Sequence, residues 1–204
     1  MQMAYQGIDW DEKRYETTED VASRQGWLDE KFTLGLDFPN LPYLRDGEHH
    51  MTETCAIHSY IADKFAPHLR GNSVEERAEV DMVAGVLHSN KMKGSMPCYT
   101  NDNRDEVDAI MREAQEPLIT YLGDKPFLCG DNVAWVDFYW FEYLMMGNMI
   151  LNNELSNNHP NVAAYIERMS ALPGVNEYMA SSETFTKQPF NMRFAKHNNW
   201  EAIK

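Results

Sequence analysis

Leu36-Asp37-Phe38-Pro39-Asn40-Leu41-Pro42-Tyr43-Leu44-Arg45-Asp46-Gly47 is the stretch whose reading decides the fold. Pro39 and Pro42 bracket Asn40 and Leu41, and each biases the residue before it, Phe38 and Leu41, away from the helical region. The backbone therefore runs extended there, with its main chain open to a partner. After Pro42, the run Tyr43-Leu44-Arg45, a turn at Asp46-Gly47 and the run His49-His50-Met51-Thr52 read as a short β-hairpin. A proline placed directly before a strand, in a loop held rigid on both sides, predicts a cis Leu41-Pro42 bond that aims the N–H and C=O of Leu41 outward.

Upstream of this stretch, residues 1–6 read as the end of a helix, stopped by Gly7, and residues 8–15 as a half-exposed strand. A polar loop over 16–22 leads to Arg24, Trp27 and Lys31, whose spacings of three and four put all three on one side of a helical turn. Downstream, Glu53-Thr54 introduces a helix with Ala56, Ile57, Tyr60, Ile61 and Phe65 on one apolar stripe, ending before Pro67. Thr54 is the expected N-cap, and the free N–H groups of that helix end suit a carboxylate. His49 and His50 alternate faces on a strand, so the pair does not chelate a metal together.

A short linker over 69–72 and a capping box, Ser73-Val74-Glu75-Glu76, open a second part with no strand pattern. Helices are predicted over 74–96, over 104–122 with a kink near Pro117, over 136–151, over 161–171 and over 175–180, followed by an aromatic, irregular tail. Met145, Met146 and Met149 read as core filler. The order is a small α/β unit over 1–68 and an all-helical unit over 73–204.

Composition narrows the function classes. The 204 residues carry a formal net charge of -14, which excludes nucleic acid and anionic membrane surfaces as natural partners and requires local groups for any anionic ligand. Three cysteines, Cys55, Cys98 and Cys129, are widely spaced and form no CxxC pair. They argue against a disulfide framework or a zinc site and fit a reducing compartment. No window of about 20 apolar residues and no signal-like N-terminus occurs, so the expectation is a cytoplasmic chain with no membrane insertion and no metal.

At this point the residues resemble the cytosolic glutathione transferases, and within them the mu class. The likeness rests on Leu34 to Leu44, on Trp27-Leu28-Asp29-Glu30-Lys31-Phe32, on Ala56-Ile57 with Tyr60-Ile61-Ala62, on Cys98-Tyr99 and on Val136-Asp137-Phe138. It implies a thioredoxin-like α/β domain followed by an all-α domain, and a site for glutathione. By that resemblance Arg24, Trp27 and Lys31 hold the glycyl carboxylate. Asn40, Leu41 and Pro42 present the backbone that pairs with the cysteinyl residue. Glu53 and Thr54, where the class usually has Gln-Ser, grip the γ-glutamyl end. Tyr99, with Met92 and Met96, faces the electrophile, and Phe38 is an aromatic key that inserts into a partner subunit, so a homodimer is implied.

Four departures accompany the resemblance. The family's catalytic tyrosine, on a first strand, has no counterpart, since the sequence begins inside what would be the first helix and neither Tyr5 nor Tyr15 matches it. Ser89 stands where the class has an aspartate, Ser59 and Asp63 stand where it has arginines, and Ala134 replaces the hydroxyl that caps the third helix of the second unit. Two functions follow as expectations. The first is conjugation of the glutathione thiol to small hydrophobic electrophiles; the alternative is a catalytically silent chain of the same fold serving as a binding or structural subunit of a larger protein assembly.

Overall fold

The structure, a computed structural model, is described here for residues 1–15, 24–181, 189–190 and 195–197. The expected polar loop over 16–22 and most of the tail lie outside the described residues. The α/β part comprises α1 (Gln2–Tyr5), α2 (Gln25–Glu30), β1 (Tyr43–Asp46), β2 (His49–Thr52) and α3 (Thr54–Phe65). A 3-10 turn, Pro67–Arg70, leads to α4 (Val74–Ser95), α5 (Pro97–Thr100), α6 (Arg104–Leu122), α7 (Trp135–Ile150), α8 (Glu154–Asn158), α9 (Pro160–Ser170) and α10 (Val175–Ser181).

The hairpin forms as its sequence requires. β1 and β2 pair antiparallel with Tyr43 opposite Thr52 and Asp46 opposite His49. The two-residue loop carries positive φ only at its first position, Gly47 at +60°, as a type II′ turn demands. Cross-element bonds then seat it: the Tyr60 hydroxyl of α3 donates to Asp46 at 2.9 Å, and Lys64 joins the same carboxylate. Residues 8–15, expected as a strand, are not one. A strand needs a ladder partner, and among the described residues the sheet consists of β1 and β2 alone.

α3 also starts differently from expectation. Glu53, not Thr54, occupies the cap position, with φ +74° and no side-chain cap bond, and Thr54 is the first helical residue. α4 begins as its capping box predicts: the Ser73 hydroxyl accepts the Glu76 N–H at 3.1 Å, and the Glu76 carboxylate reaches back to the Asn72 N–H at 2.6 Å. α6 runs through Pro117 without a break.

α7 is the centre of the helical part. Its surface is apolar except at Asp137, Glu142 and Asn148, and Trp135, Phe138, Trp140, Phe141 and Tyr143 are almost wholly buried. Two polar devices let it sit there. Gln115 of α6 accepts from the Trp140 indole at 3.1 Å and donates to the Tyr143 carbonyl at 3.0 Å. At the N-terminus, the buried Asp137 carboxylate accepts N–H bonds from Leu128 and Ala134, each at 2.8 Å, and the Tyr165 hydroxyl at 3.0 Å. Half of the cap thus survives without a hydroxyl at Ala134. Where α4 crosses α7, a Cβ at Gly94 would clash with the Tyr143 hydroxyl, so the Tyr143 side chain lies directly against the α4 backbone and donates to the Asn90 carbonyl. The core runs on from this bundle to Ala62 and Ala66 at the end of α3.

Candidate functional site: the open end of the hairpin

The register of the hairpin brings the two halves of the expected site together. Since Tyr43 faces Thr52, the preceding Pro42 stands across from Glu53 at the same end of the ladder. The Leu41-Pro42 bond is cis, as the sequence predicts. Thr52, nearly buried, donates its hydroxyl to the Phe38 carbonyl at 2.9 Å and so staples the extended loop to β2. Leu41 is 40% exposed. Its N–H, expected to point free into solvent, is instead taken by the Asn40 side-chain carbonyl at 2.9 Å. A ligand that pairs with this edge must displace the Asn40 amide first.

α3 begins at the corner that Glu53 makes. A non-glycine residue at φ +74° is strained and is tolerated where the surroundings dictate the turn. The corner leaves the first-turn N–H groups of a twelve-residue helix without a side-chain cap and pointing at the end of the hairpin. The free N–H groups of such a helix end suit a carboxylate, and Thr54 is the first residue of the helix.

The third wall is α2. Trp27 is the one buried residue of that helix, and its ring stacks on Tyr43, with centroids 6.2 Å apart and planes 15° from parallel. Lys31 lies over the same indole at 6.0 Å, and Arg24 caps the start of the helix. Lys31 and Trp27 therefore share one side of α2, the stack on Tyr43 ties that side to the first residue of β1, and Arg24 stands at the N-cap position of the same helix.

Sequence reasoning missed the shell behind Trp27. The Tyr15 ring meets the indole edge-on at 5.4 Å. Its hydroxyl donates to Glu30 at 3.0 Å and lies 3.3 Å from the Tyr43 hydroxyl. Lys13 closes on both Glu30 oxygens, at 2.5 and 2.6 Å. The Lys13 and Tyr15 hydrogen bonds hold the exposed Glu30 carboxyl below the usual carboxylate range, while burial and the bonds to Tyr43 and Glu30 push the Tyr15 phenol up. No spacing rule could have linked residues 13, 15 and 30.

Tyr99 belongs to another neighbourhood. It sits on α5 with its ring 4.8 Å from Phe190, and burial pushes its phenol up to about 12. Met92 in the last turn of α4 and Met96 at its C-cap are 46% and 51% exposed. Burial pushes the Cys55 thiol up, Cys98 to about 11 and Cys129 to about 12, which favours the protonated thiol in each. A groove of about 490 Å³ opens between α3 and α4, bordered by Cys55, Ser59, His88 and Ser89. Asp63, in place of a family arginine, is paired within the chain to Arg70 at 3.4 Å, and Arg70 also holds Asp81 at 2.5 Å. Among the described residues no group of three or more His, Cys, Asp or Glu side chains is placed to hold a metal, and no helix is long and apolar enough to cross a membrane.

A small α/β unit presenting a cis-proline edge beside a helix N-terminus, followed by an all-helical unit, is the architecture of glutathione-dependent transferases. The family models for the N-terminal and C-terminal domains of glutathione S-transferases match residues 2–63 and 93–182. Glutathione S-transferase Mu 1 of Mus musculus is 36% identical over 205 residues, covering 98% of this chain and 90% of that one. The Homo sapiens Mu 1 protein is 34% identical, covering 93% and 87%. Among solved structures, the glutathione S-transferase Blo t 8 superposes with a TM-score of 0.78 at 27% identity, over 96% of this chain and 91% of the other. The chain belongs to the glutathione S-transferase family.

Proposed function

We propose that this chain is a Mu-class glutathione transferase that joins the thiol of reduced glutathione to small hydrophobic electrophiles. The observation that carries the reading is the convergence of the cis Leu41-Pro42 edge, the Glu53-Thr54 helix end and the Trp27 face of α2 at one end of the hairpin. Glutathione has the matching parts: a γ-glutamyl carboxylate and amine for Thr54 and Glu53, a cysteinyl main chain for Leu41, and a glycyl carboxylate for Arg24 and Lys31 with the indole of Trp27. In the reaction the thiol gives up its proton to solvent, and the sulfur electron pair of the resulting thiolate forms a C–S bond to the electrophilic carbon. With an aryl halide, the halide leaves with the electrons of the broken bond. With glutathione held by its glutamyl, cysteinyl and glycyl parts, its sulfur is oriented toward the electrophile on the side where Tyr99 lies. Tyr15 gives its hydroxyl proton to Glu30, so it does not serve as the thiolate donor.

The reading extends to assembly and place. Phe38, 78% exposed on the loop that leads to the site, is the projecting ring through which two copies join, and the working form is a cytoplasmic homodimer divided into an α/β domain over 1–68 and a helical domain over 73–204. Nothing in the relatives favours the alternative of a silent subunit in a larger assembly. Retention on immobilised glutathione, with elution by the free tripeptide, is the expected result, and Arg24→Ala or Thr54→Ala should weaken binding about tenfold each. Passage through the column, with no conjugate formed from chlorodinitrobenzene, would overturn the reading.

A further inference from the structure

We propose that Tyr15 is a positioning residue for the glycyl end of glutathione: its hydroxyl ties the end of α2 to the start of β1 and so fixes the face that presents Arg24, Trp27 and Lys31. The inference rests on the glutathione reading above and deepens it.

The need for such a tie comes from α2 itself. Six residues are too few for a helix to hold its own geometry in water. Burial does not hold it either: Leu28 is 46% exposed and the following Phe32 78%, which leaves Trp27 as the single apolar anchor. One ring can be a pivot but does not fix an orientation. The orientation is set by a hydrogen-bonded junction on the far side of the indole. A phenol has one proton and can accept another's. Tyr15 gives its proton to Glu30, so the bond between the two tyrosines runs from the Tyr43 hydroxyl to the Tyr15 oxygen. Glu30 is the last residue of α2 and directly precedes Lys31, while Tyr43 opens β1 next to Pro42. The single Tyr15 oxygen therefore couples the cationic edge of α2 to the backbone edge of the hairpin. Trp27 lies clasped between the edge of one tyrosine and the face of the other. Lys13 supports the junction from behind, its ammonium on both Glu30 oxygens.

A junction placed in this way acts on one third of the ligand. It leaves the Glu53-Thr54 subsite, which is built on α3, untouched. The probes are glutathione and γ-glutamylcysteine, which lacks the glycyl residue, with affinities measured by titration calorimetry on the full chain. Tyr15→Phe keeps the ring against Trp27 and removes the hydroxyl. It should weaken glutathione about five- to tenfold and leave γ-glutamylcysteine within about twofold, the scale of one or two lost hydrogen bonds. Glu30→Ala should do the same, and the double variant should be no worse than the weaker single one, because both remove the same junction. Glu30→Gln, which keeps an acceptor for Tyr15, should restore most of the affinity. Equal weakening of both ligands, unchanged glutathione affinity in Tyr15→Phe, or additive losses in the double variant would each overturn the inference. Wild-type protein that binds neither probe would bring down the glutathione reading and the inference with it, whereas binding of both with no effect of Tyr15→Phe would bring down the inference alone.

Discussion

Helix α7 and the β1–β2 hairpin lie one domain apart and are held in opposite ways. Of the 16 residues of α7, 13 are buried; the Trp140 indole donates to Gln115, the Tyr143 hydroxyl donates to the Asn90 carbonyl, and Asp137 accepts from the Tyr165 hydroxyl of α9. In the two four-residue strands only Thr52 is buried. The hairpin is placed by single hydrogen bonds: Thr52 to the Phe38 carbonyl, Tyr60 to Asp46, Tyr43 to Tyr15. The difference separates two tasks. The helical part supplies stability through area removed from water, at roughly 25 cal/mol per Å² of apolar surface. The hairpin supplies a main-chain edge that must stay open to a ligand, and burying it would remove the function.

The largest effect that tests this contrast is expected from Trp140→Ala. The residue is fully buried, 4.7 Å from the Tyr165 ring, and its loss leaves both a cavity and a buried Gln115 carbonyl without its donor. Urea denaturation should show a loss of about 3–5 kcal/mol. A loss below about 1 kcal/mol would mean that α7 is not the stabilising centre.

A smaller and local effect is expected from Gly47→Ala. A Cβ there meets nothing within 4 Å, so the cost is only that of a left-handed φ of +60°, about 1–2 kcal/mol. Amide exchange should speed up in β1 and β2 while the amides of α7 keep their protection. Equal acceleration in both would show that the two regions unfold as one.

The smallest effect is a near-cancellation in pH dependence. Burial raises the Asp137 carboxyl to about 6, against its bonds to Leu128, Ala134 and Tyr165, so the folded state binds its proton more tightly than the unfolded chain does. Its contribution to stability is therefore lost as pH rises from about 4 through 6. His58, stacked between Trp135 and Tyr139, is driven the other way: burial lowers it to about 4, with Lys91 assisting and Glu142 opposing. Its contribution is present above the ordinary histidine value of 6.5 and lost as pH falls toward 4. Between those limits the two slopes oppose each other. Relative to wild type, His58→Phe should gain stability on acidification from pH 6.5 to 4.5, and Asp137→Asn should lose it. Parallel curves for all three proteins would show that neither group is titrating as its surroundings dictate.

Much of the fold was legible in the sequence, for identifiable reasons. Ser73 with Glu76 marked the start of α4, Gly47 marked the turn, and the proline pair marked the cis bond, because each feature is set by residues within a few positions of one another. The resemblance named Arg24, Trp27, Lys31, Leu41 and Thr54 from motif matches, whereas the hairpin register and the stack of Trp27 on Tyr43 come only from the folded chain. Residues 8–15 misled because alternation of apolar and polar side chains specifies a strand only when a neighbour exists to pair with it. Thr54 gave its cap position to Glu53 because the corner out of β2 needs one residue at positive φ before helical geometry can begin. The clasp of Tyr15, Tyr43 and Glu30 around Trp27 joins residues with no periodic relation, so only the folded chain reveals it.

The bond from the Leu41 N–H to the Asn40 side chain also bears on how the protein behaves at high concentration. An extended segment with unpaired main-chain donors is a template on which other chains can build sheet, and such edges are a common starting point for aggregation. Asn40 covers that donor with a group from its own backbone neighbour, at 2.9 Å. The cover is a neutral amide that swings on two side-chain torsions, so a peptide that also satisfies the surrounding charges displaces it easily, while a chance strand that offers only backbone meets an edge already filled.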